Sequence, residues 1–201
     1  MCGSCYAFTA AAAVESAMFI NSSFINMVEV SEQAIIDCSW RFGKNSNNGC
    51  DGGNLVTTLS WIKSKGIPYK YQYGRYLAME GLCHAYNLTK LAHVKDYCKV
   101  QNNTNTIKKI LRKRGPLLVA ISTSPKTFAF YSRGIYYDKN CNTTVPNHAM
   151  LLVGYGQRKG RSYWILKNSY GKHWGEKGYI KMAMINDKSG VLNYVYSLKV
   201  A

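Results

Sequence analysis

The chain begins with the stretch CGSCYAF at residues 2–8, which leads into an alanine-rich run that ends near Asn21. Because alanine is the strongest helix former, this stretch predicts a helix over residues 4–21. Its spacing of apolar residues predicts one buried face. The side chains expected on that face are Val14, Ala17, Met18 and Phe19.

Cys5 lies where this helix is predicted to begin. A helix N-terminus has unpaired N–H groups and a partial positive charge, and both favour a thiolate over a thiol. The position therefore suits a nucleophilic cysteine. The structural alternative is that Cys2 and Cys5 are both disulfide partners, and for Cys2 this alternative is the preferred interpretation.

Two later stretches contain a histidine and an asparagine beside apolar runs. The sequence NHAMLLVGYG at residues 147–156 places His148 before one run, and KNSYG at residues 167–171 places Asn168 after another. Taken singly, they are better explained as a strand-end histidine and a turn residue. Together with Cys5, they reproduce the order Cys, His, Asn with long separations that papain and the cathepsins show.

With three separate matches in this order, the chain resembles the papain family of cysteine proteases over essentially its whole length. The family pattern Cys-Gly-Ser-Cys-Trp reads Cys-Gly-Ser-Cys-Tyr here, so Tyr6 replaces a tryptophan. The resemblance implies one papain-like peptidase domain over residues 1–201. Its α+β fold would have a helical left lobe, about residues 1–100, and an antiparallel β-barrel-like right lobe, about residues 101–201, with the cleft between.

The order of predicted elements agrees with this fold class, because helices precede strands as in α+β proteins. Ser31 is a predicted N-cap for a short helix that leads to Cys38. The other predicted helices cover residues 54–65 and 107–114. The predicted strands cover residues 117–121, 149–153, 163–166, 179–183 and 194–200.

The resemblance also assigns the chemistry. Cys5 would be the nucleophile, His148 its ion-pair partner and proton donor, and Asn168 the group that orients the imidazole. Trp174 would shield the contact between Asn168 and His148 from water. The reaction would be acyl transfer through a thioester, followed by hydrolysis, and no metal or organic cofactor is implied.

Further positions match the substrate-binding residues of the family. Gly52 and Gly53, in a turn-rich loop, would pair their main chain with an extended substrate, although as bare glycines they are ordinary turn residues. Leu55 and Ala149 would lie near an apolar specificity pocket. Tyr170 replaces the tryptophan of the usual Asn-Ser-Trp-Gly run and keeps an aromatic wall.

The family pattern implies two disulfides, Cys2 with Cys50 and Cys38 with Cys83. Cys98 and Cys141 are then reduced, paired with each other, or without the partners that relatives have. In relatives, a cysteine near the C-terminus pairs with the counterpart of Cys141, and Ser189 stands at that position here.

Seven cysteines and sequons at Asn21, Asn87, Asn102 and Asn142 indicate a secretory history, hence a lysosomal or secreted protein. No signal peptide precedes the motif, and the glutamine that supplies half of the family's oxyanion hole lies upstream of Cys2 in relatives. The chain is therefore interpreted as an N-terminally incomplete form of a longer precursor.

The formal net charge of +16 is high for 201 residues. It favours acidic substrates, heparin-like polyanions or anionic membranes as partners, or else it belongs to a solvated surface, which is the preferred interpretation. The densest basic run is at residues 108–114. Neither a nucleic-acid motif nor an apolar run long enough to span a membrane is present in the sequence.

Two functions remain in competition. The first is a papain-like endopeptidase that acts as a monomer on proteins or peptides, with a propeptide or cystatin-like inhibitors as further partners. The second is a catalytically silent homologue that acts as a binding or structural protein. Because Cys5, His148 and Asn168 are all retained, the sequence favours the enzyme.

Overall fold

The computed structural model describes residues 2–22, 27–40, 42, 47–123, 125–141, 145–185 and 190–201. The chain divides into two compact units: the first comprises residues 1–98 and 198–201, and the second residues 99–197. Three positions named above lie outside the described residues. They are the sequon at Asn142, the third residue of the Asn21 sequon, and Ser189, which stands where relatives have the disulfide partner of Cys141.

Helices dominate the first unit. Among its described residues the α-helices are α1 (Cys5–Asn21), α2 (Glu32–Cys38), α3 (Leu55–Lys65) and α4 (Lys70–Tyr73). Short 3-10 helices occur at Gly49–Asp51 and Ala85–Asn87. Strands β1 (Ile67–Pro68) and β2 (Leu91–Ala92) form a two-stranded antiparallel sheet. The next strand along the chain is β3 (Val94–Lys99).

Side-chain caps define where two of these helices begin. The Ser31 hydroxyl accepts a hydrogen bond from the Ala34 N–H at 3.1 Å, which confirms the predicted N-cap of α2. The Asn54 side chain accepts from the N–H groups of Val56 and Thr57, so α3 begins one residue later than predicted. Gly66, with φ +77°, ends α3.

Helix α1 is buried around most of its circumference rather than on one face. Tyr6, Ala7, Ala10 and Val14 are all buried, and both α2 and α3 contact the helix. Small alanine side chains allow neighbouring elements to pack closely on several sides. The predicted apolar face is wrong for Phe19, whose side chain is 44% exposed near the end of the helix.

Strands dominate the second unit. Its helices are α5 (Thr104–Arg114) and α6 (Lys126–Ala129). The strands are β4 (Leu117–Ile121), β5 (Ile135–Tyr136), β6 (His148–Arg158), β7 (Arg161–Lys167) and β8 (Tyr179–Ala183). Strand β9 (Val195–Val200) begins in the second unit, and its last three residues belong to the first. The seven-stranded sheet has the order β3-β9-β4-β6-β7-β8-β5 and is not closed into a barrel. The β5–β8 pair is parallel, whereas β6 pairs antiparallel with β4 and β7.

The core of the second unit lies against this sheet. Fully buried side chains from four strands meet there: Leu117, Met150, Trp164 and Ile180. Strand β6 runs five residues beyond the predicted end at residue 153, because it continues into a hairpin with β7. The alternation that predicts strands is weak there, since the last residues of β6 are polar or glycine.

Strand β3 was missed by the sequence analysis for a similar reason. Only Val94 of its six residues is buried, so hydrophobic residues do not alternate along it. No helix within the described ranges combines the length and the apolar character that a membrane-spanning segment needs.

Candidate active site

Cys5 is the first residue of α1, is half-buried and takes part in no disulfide. The hydroxyl of Ser4, the N-cap residue, does not cap the helix but lies 2.7 Å from the Tyr76 hydroxyl. The first turn of α1 contains no acidic residue. The positive end of the helix dipole is therefore not neutralised locally, and it favours a thiolate at Cys5.

The residues before Cys5 are fixed to a neighbouring loop. A disulfide joins Cys2 to Cys50, and the Gly3 N–H donates to the Cys50 carbonyl at 2.6 Å. A Cβ atom at Gly3 would lie only 2.8 Å from that carbonyl oxygen. Glycine is thus required at residue 3 for this close approach, which ties the start of α1 to the loop at residues 47–53.

Asn47 anchors that loop from inside the first unit. Its side-chain nitrogen donates to the hydroxyls of Ser39 (2.9 Å) and Thr58 (3.0 Å), and its side-chain oxygen accepts from the Asn54 N–H at 2.8 Å. The residue is 1% exposed. The sequence analysis described this stretch only as a turn-rich loop and did not single out Asn47, because several asparagines stand together there and nothing local marks one of them as buried.

Gly52 and Gly53 differ in their surroundings. Gly52 adopts φ +111°, and its carbonyl accepts from the Asn48 N–H at 2.8 Å. Gly53 is exposed. A Cβ atom at Gly53 would lie 2.7 Å from the Tyr6 ring and 2.6 Å from the Asn47 side chain.

Tyr6, in the place of the family's tryptophan, lies under this loop. Its ring is fully buried, and its hydroxyl donates to the Gly49 carbonyl at 2.9 Å. Burial is the main cause that raises the pKa of Tyr6 above its ordinary value, so the hydroxyl stays a donor at neutral pH. The tyrosine thereby adds a direct hydrogen bond between α1 and the loop.

His148 and Asn168 lie together in the second unit. His148 is the first residue of β6 and is paired with Ile121 of β4, while Asn168 follows the last residue of β7. The Asn168 N–H donates to the Gly178 carbonyl at 2.9 Å. Nε2 of His148 lies 2.8 Å from Oδ1 of Asn168, and both residues are buried.

This contact determines how the imidazole can work. The Ser169 N–H also donates to Oδ1 of Asn168, at 2.8 Å, which identifies that atom as the amide oxygen. Nε2 of His148 is therefore the protonated nitrogen, and Nδ1 remains for proton transfer. Burial lowers the pKa of His148 below its ordinary value, and the hydrogen bond to Asn168 offsets part of that effect.

An aromatic cluster packs around the imidazole. The Tyr170 ring centroid lies 5.1 Å from that of His148, and the rings of Trp174 and Tyr170 are 5.5 Å apart. The Trp174 indole N–H donates to the Ala129 carbonyl at 3.0 Å. Tyr170 remains half exposed, so it can contact a bound molecule while it covers the histidine.

Phe128 of α6 is a buried residue of this cluster that the sequence analysis missed. Its ring centroid is 6.0 Å from His148, 5.3 Å from Trp174 and 6.4 Å from Tyr170. The local sequence TFAF contains a second phenylalanine, Phe130, which is 84% exposed. Nothing local distinguishes the two, because only the fold decides which of them faces the core.

The remaining predicted site residues occupy buried positions in separate units. Leu55 is the first residue of α3 in the first unit and is 5% exposed. Ala149 follows His148 on β6 in the second unit and is also buried. Asn87 and Asn102, which begin two of the sequons, are exposed.

Two disulfides are present, Cys2–Cys50 and Cys38–Cys83, with the pairing that the family resemblance implies. Cys98 and Cys141 belong to no disulfide, so they are not paired with each other. The Cys141 thiol is buried and lies 3.2 Å from the Ser122 carbonyl oxygen.

Comparisons with known proteins agree with this arrangement. The family model described as papain family cysteine protease matches residues 1–198. A cathepsin L-like peptidase of Aedes aegypti is 39% identical over 189 residues, which cover 92% of this chain and 54% of the relative. Cathepsin K of Mus musculus is 36% identical over 195 residues, covering 96% of this chain and 57% of the relative. The chain thus spans a little over half the length of these curated relatives.

Solved structures give the same result. Digestive procathepsin L2 proteinase from the larval midgut of Tenebrio molitor superposes with a TM-score of 0.90 at 32% identity, covering 98% of this chain and 62% of that one. Digestive procathepsin L 3 from the same tissue has a TM-score of 0.88, also at 32% identity, with 98% and 64% coverage.

Proposed function

Because the chain belongs to the papain family of cysteine proteases, we propose that it forms the catalytic part of a cysteine peptidase that hydrolyses peptide bonds by nucleophilic acyl transfer. The observation that carries this proposal is the buried hydrogen bond from Nε2 of His148 to Oδ1 of Asn168 at 2.8 Å. It holds the imidazole in one tautomer, with Nδ1 left to exchange a proton with a nucleophile.

In the proposed reaction, Cys5 and His148 form a thiolate–imidazolium pair. The thiolate attacks the peptide carbonyl carbon, the C–N bond breaks, and His148 gives its proton to the leaving amine. The acyl group is then a thioester on Cys5. His148, now neutral, takes a proton from a water molecule that attacks the thioester. The carboxylic acid leaves, and the departing sulfur again forms the pair with protonated His148.

We propose that the substrate binds as an extended peptide along Gly53. Gly53 is exposed and would offer its N–H and C=O to a passing strand, and the bonds to Asn47 and Tyr6 keep the loop in place. Leu55 and Ala149 would contribute to a pocket for an apolar substrate side chain, and Tyr170 would contact the leaving side.

We further propose that the protein works as a monomer in the lysosome or outside the cell. Two disulfides support an oxidising history, because such bonds persist mainly in secretory compartments. Two similar solved structures are named procathepsins, which supports a propeptide as an intramolecular partner. Cystatin-like inhibitors would be further partners.

The test is covalent labelling with a peptidyl epoxide that alkylates activated thiols, followed by mass spectrometry of the labelled peptide. We expect labelling at Cys5 and its loss in Cys5→Ala. The matched control is Cys98→Ser, because Cys98 is also outside a disulfide and is more exposed than Cys5. The control should label as the parent does.

Two outcomes would contradict the proposal. If folded protein is not labelled at Cys5, the silent homologue that acts as a binding or structural protein becomes the better explanation. If Cys98 is labelled as fast as Cys5, exposure rather than activation governs the reaction.

A further inference from the structure

The positive charge of the chain is concentrated in one unit. Residues 99–197 contain 17 lysines and arginines against three acidic residues, a net charge of +14. Residues 1–98 and 198–201 contain nine basic and seven acidic residues, a net charge of only +2. If the positive charge served only to give the protein a solvated surface, it would not need to be concentrated in one unit.

Within the second unit, two basic elements lie side by side. Lys108 of α5 places its ammonium 5.0 Å from the Tyr155 ring centroid and 6.0 Å from that of Trp164, so the helix packs beside the β6–β7 hairpin. Tyr155 and Trp164 face each other across this hairpin. Three residue pairs further on, about 10 Å along the strands, Arg158 is paired with Arg161.

Six of the cations on these elements are exposed. Along α5 they are Lys109, Arg112 and Lys113, and on the hairpin they are Arg158, Lys159 and Arg161. None of the six forms an ion pair with a carboxylate in the part of the chain that the structure describes.

The hairpin cations act against the stability of the fold. Arg158 and Arg161 are like charges directly opposite each other on paired strands, which is destabilising. Lys159 adopts φ +49°, a conformation that disfavours a lysine relative to glycine or asparagine. Structural stability therefore does not explain this arrangement, whereas a bound polyanion would neutralise it.

We propose that α5 and the β6–β7 hairpin together form a binding surface for a linear sulfated polysaccharide. On the helix, side chains three or four residues apart are about 5–6 Å apart at Cβ, so several cations can meet successive sulfates. The hairpin tip adds Arg158 and Arg161 about 10 Å along the strands from the Tyr155 ring against which Lys108 packs. This surface does not include Cys5, His148 or Asn168, and its role is independent of the peptidase proposal.

Other polyanions fit the surface less well. An anionic membrane would be expected to meet exposed apolar side chains between the cations, and none of the exposed large hydrophobic residues among those described lies on α5 or the hairpin. Single-stranded nucleic acid would stack its bases on exposed rings, but Trp164 is 1% exposed. Two disulfides also favour an extracellular polyanion.

The test is binding of heparin, measured by titration at several salt concentrations, with two triple variants. The helix variant is K109Q/R112Q/K113Q, and the hairpin variant is R158Q/K159N/R161Q, in which asparagine suits the turn conformation. We expect each to raise the dissociation constant by on the order of tenfold at physiological salt and to reduce the salt dependence.

The matched control is K65Q/K90Q/K95Q, which removes the same charge from exposed positions in the first unit. It should bind heparin nearly as the parent does. Equal weakening by the control, or no weakening by either test variant when the thermal midpoint is unchanged, would overturn the proposal. Tighter binding of single-stranded DNA, or of phosphatidylserine vesicles, than of heparin would do so as well. The helix and the hairpin are tested separately. If one of the two triple variants does not fold, the other still decides the test.

Discussion

Nε2 of His148 lies 2.8 Å from Oδ1 of Asn168 although the two residues are separated by most of two strands. The antiparallel pairing of β6 with β7 explains this contact. In that pair Leu151 is opposite Lys167, so the start of β6 lies beside the end of β7. His148 and Asn168 stand at these two ends, where the sheet brings them together without a long connecting loop.

Replacing Asn168 by alanine should therefore lower peptidase activity and change its pH dependence. The hydrogen bond to Asn168 raises the pKa of His148 against the lowering caused by burial, so its loss should lower that pKa further. In the proposed reaction protonated His148 donates to the leaving amine, so activity should fall as pH rises through the pKa of His148. The alkaline limb of kcat/KM should thus move to lower pH. The rate should fall by a smaller factor than the ~100–10,000-fold that acid–base catalysis typically contributes.

Asn168→Asp is the control for this prediction. A carboxylate still accepts from Nε2, and its charge favours the imidazolium, so the alkaline limb should move to higher pH instead. If the alanine and aspartate variants move the limb in the same direction, Asn168 does not act on the protonation of His148.

Gly53→Ala should weaken substrate binding without a large effect on the chemical step. The new Cβ would lie within 2.7 Å of both the Tyr6 ring and the Asn47 side chain, so the loop must shift. An extended substrate would then meet its main-chain partners out of place, and KM should rise more than kcat falls. Steady-state kinetics with a fluorogenic peptide would measure both constants.

A second glycine gives the comparison for that variant. At Gly154 an added Cβ would make only an ordinary contact, 3.4 Å from Ile165. Gly154→Ala should therefore leave KM near the parent value. A similar rise of KM in both variants would indicate a general effect of the substitution rather than a displaced loop.

Tyr6→Phe should have a related but smaller effect. It removes the hydroxyl that donates to the Gly49 carbonyl and leaves that acceptor without this bond, which typically costs about 1–3 kcal/mol of unfolding free energy. We also expect a raised KM, because the loop that carries Gly53 loses one of its links to α1. Chemical denaturation and kinetics on the same preparation would give both values. Tyr71→Phe, at a side chain that is 71% exposed, should change neither, and an equal change there would contradict the assigned role of Tyr6.

Phe128→Ala should destabilise the protein by about 3–5 kcal/mol, because a large buried ring is replaced by a cavity. The ring also packs against His148 and Trp174, so activity should fall even where the protein remains folded. The exposed Phe130 provides the control, since Phe130→Ala should stay within about 0.5 kcal/mol of the parent. Similar unfolding free energies for the two variants, measured by denaturant titration, would show that Phe128 is not part of the core.

Local sequence signals were sufficient for several elements. Strands β4 and β8 have the bounds that their apolar runs predicted. Helix α3 ends as expected, because Gly66 stops it through its own backbone preference. The order of Cys5, His148 and Asn168, and the residues next to each of them, were enough to predict a candidate active site, since a motif consists of neighbouring residues. These features depend on contacts within a few residues, which the sequence contains directly.

Other features depend on residues that are distant in sequence, and only the tertiary structure decided them. Asn47 becomes an anchor because Ser39, just after α2, and Thr58 of α3 place their hydroxyls around it. Phe128 becomes buried because the sheet packs against α6. The tautomer of His148 follows from a partner 20 residues away. The sequence determined which groups are present, whereas the fold determined which of them meet, because burial and hydrogen bonding arise from long-range packing that no local pattern encodes.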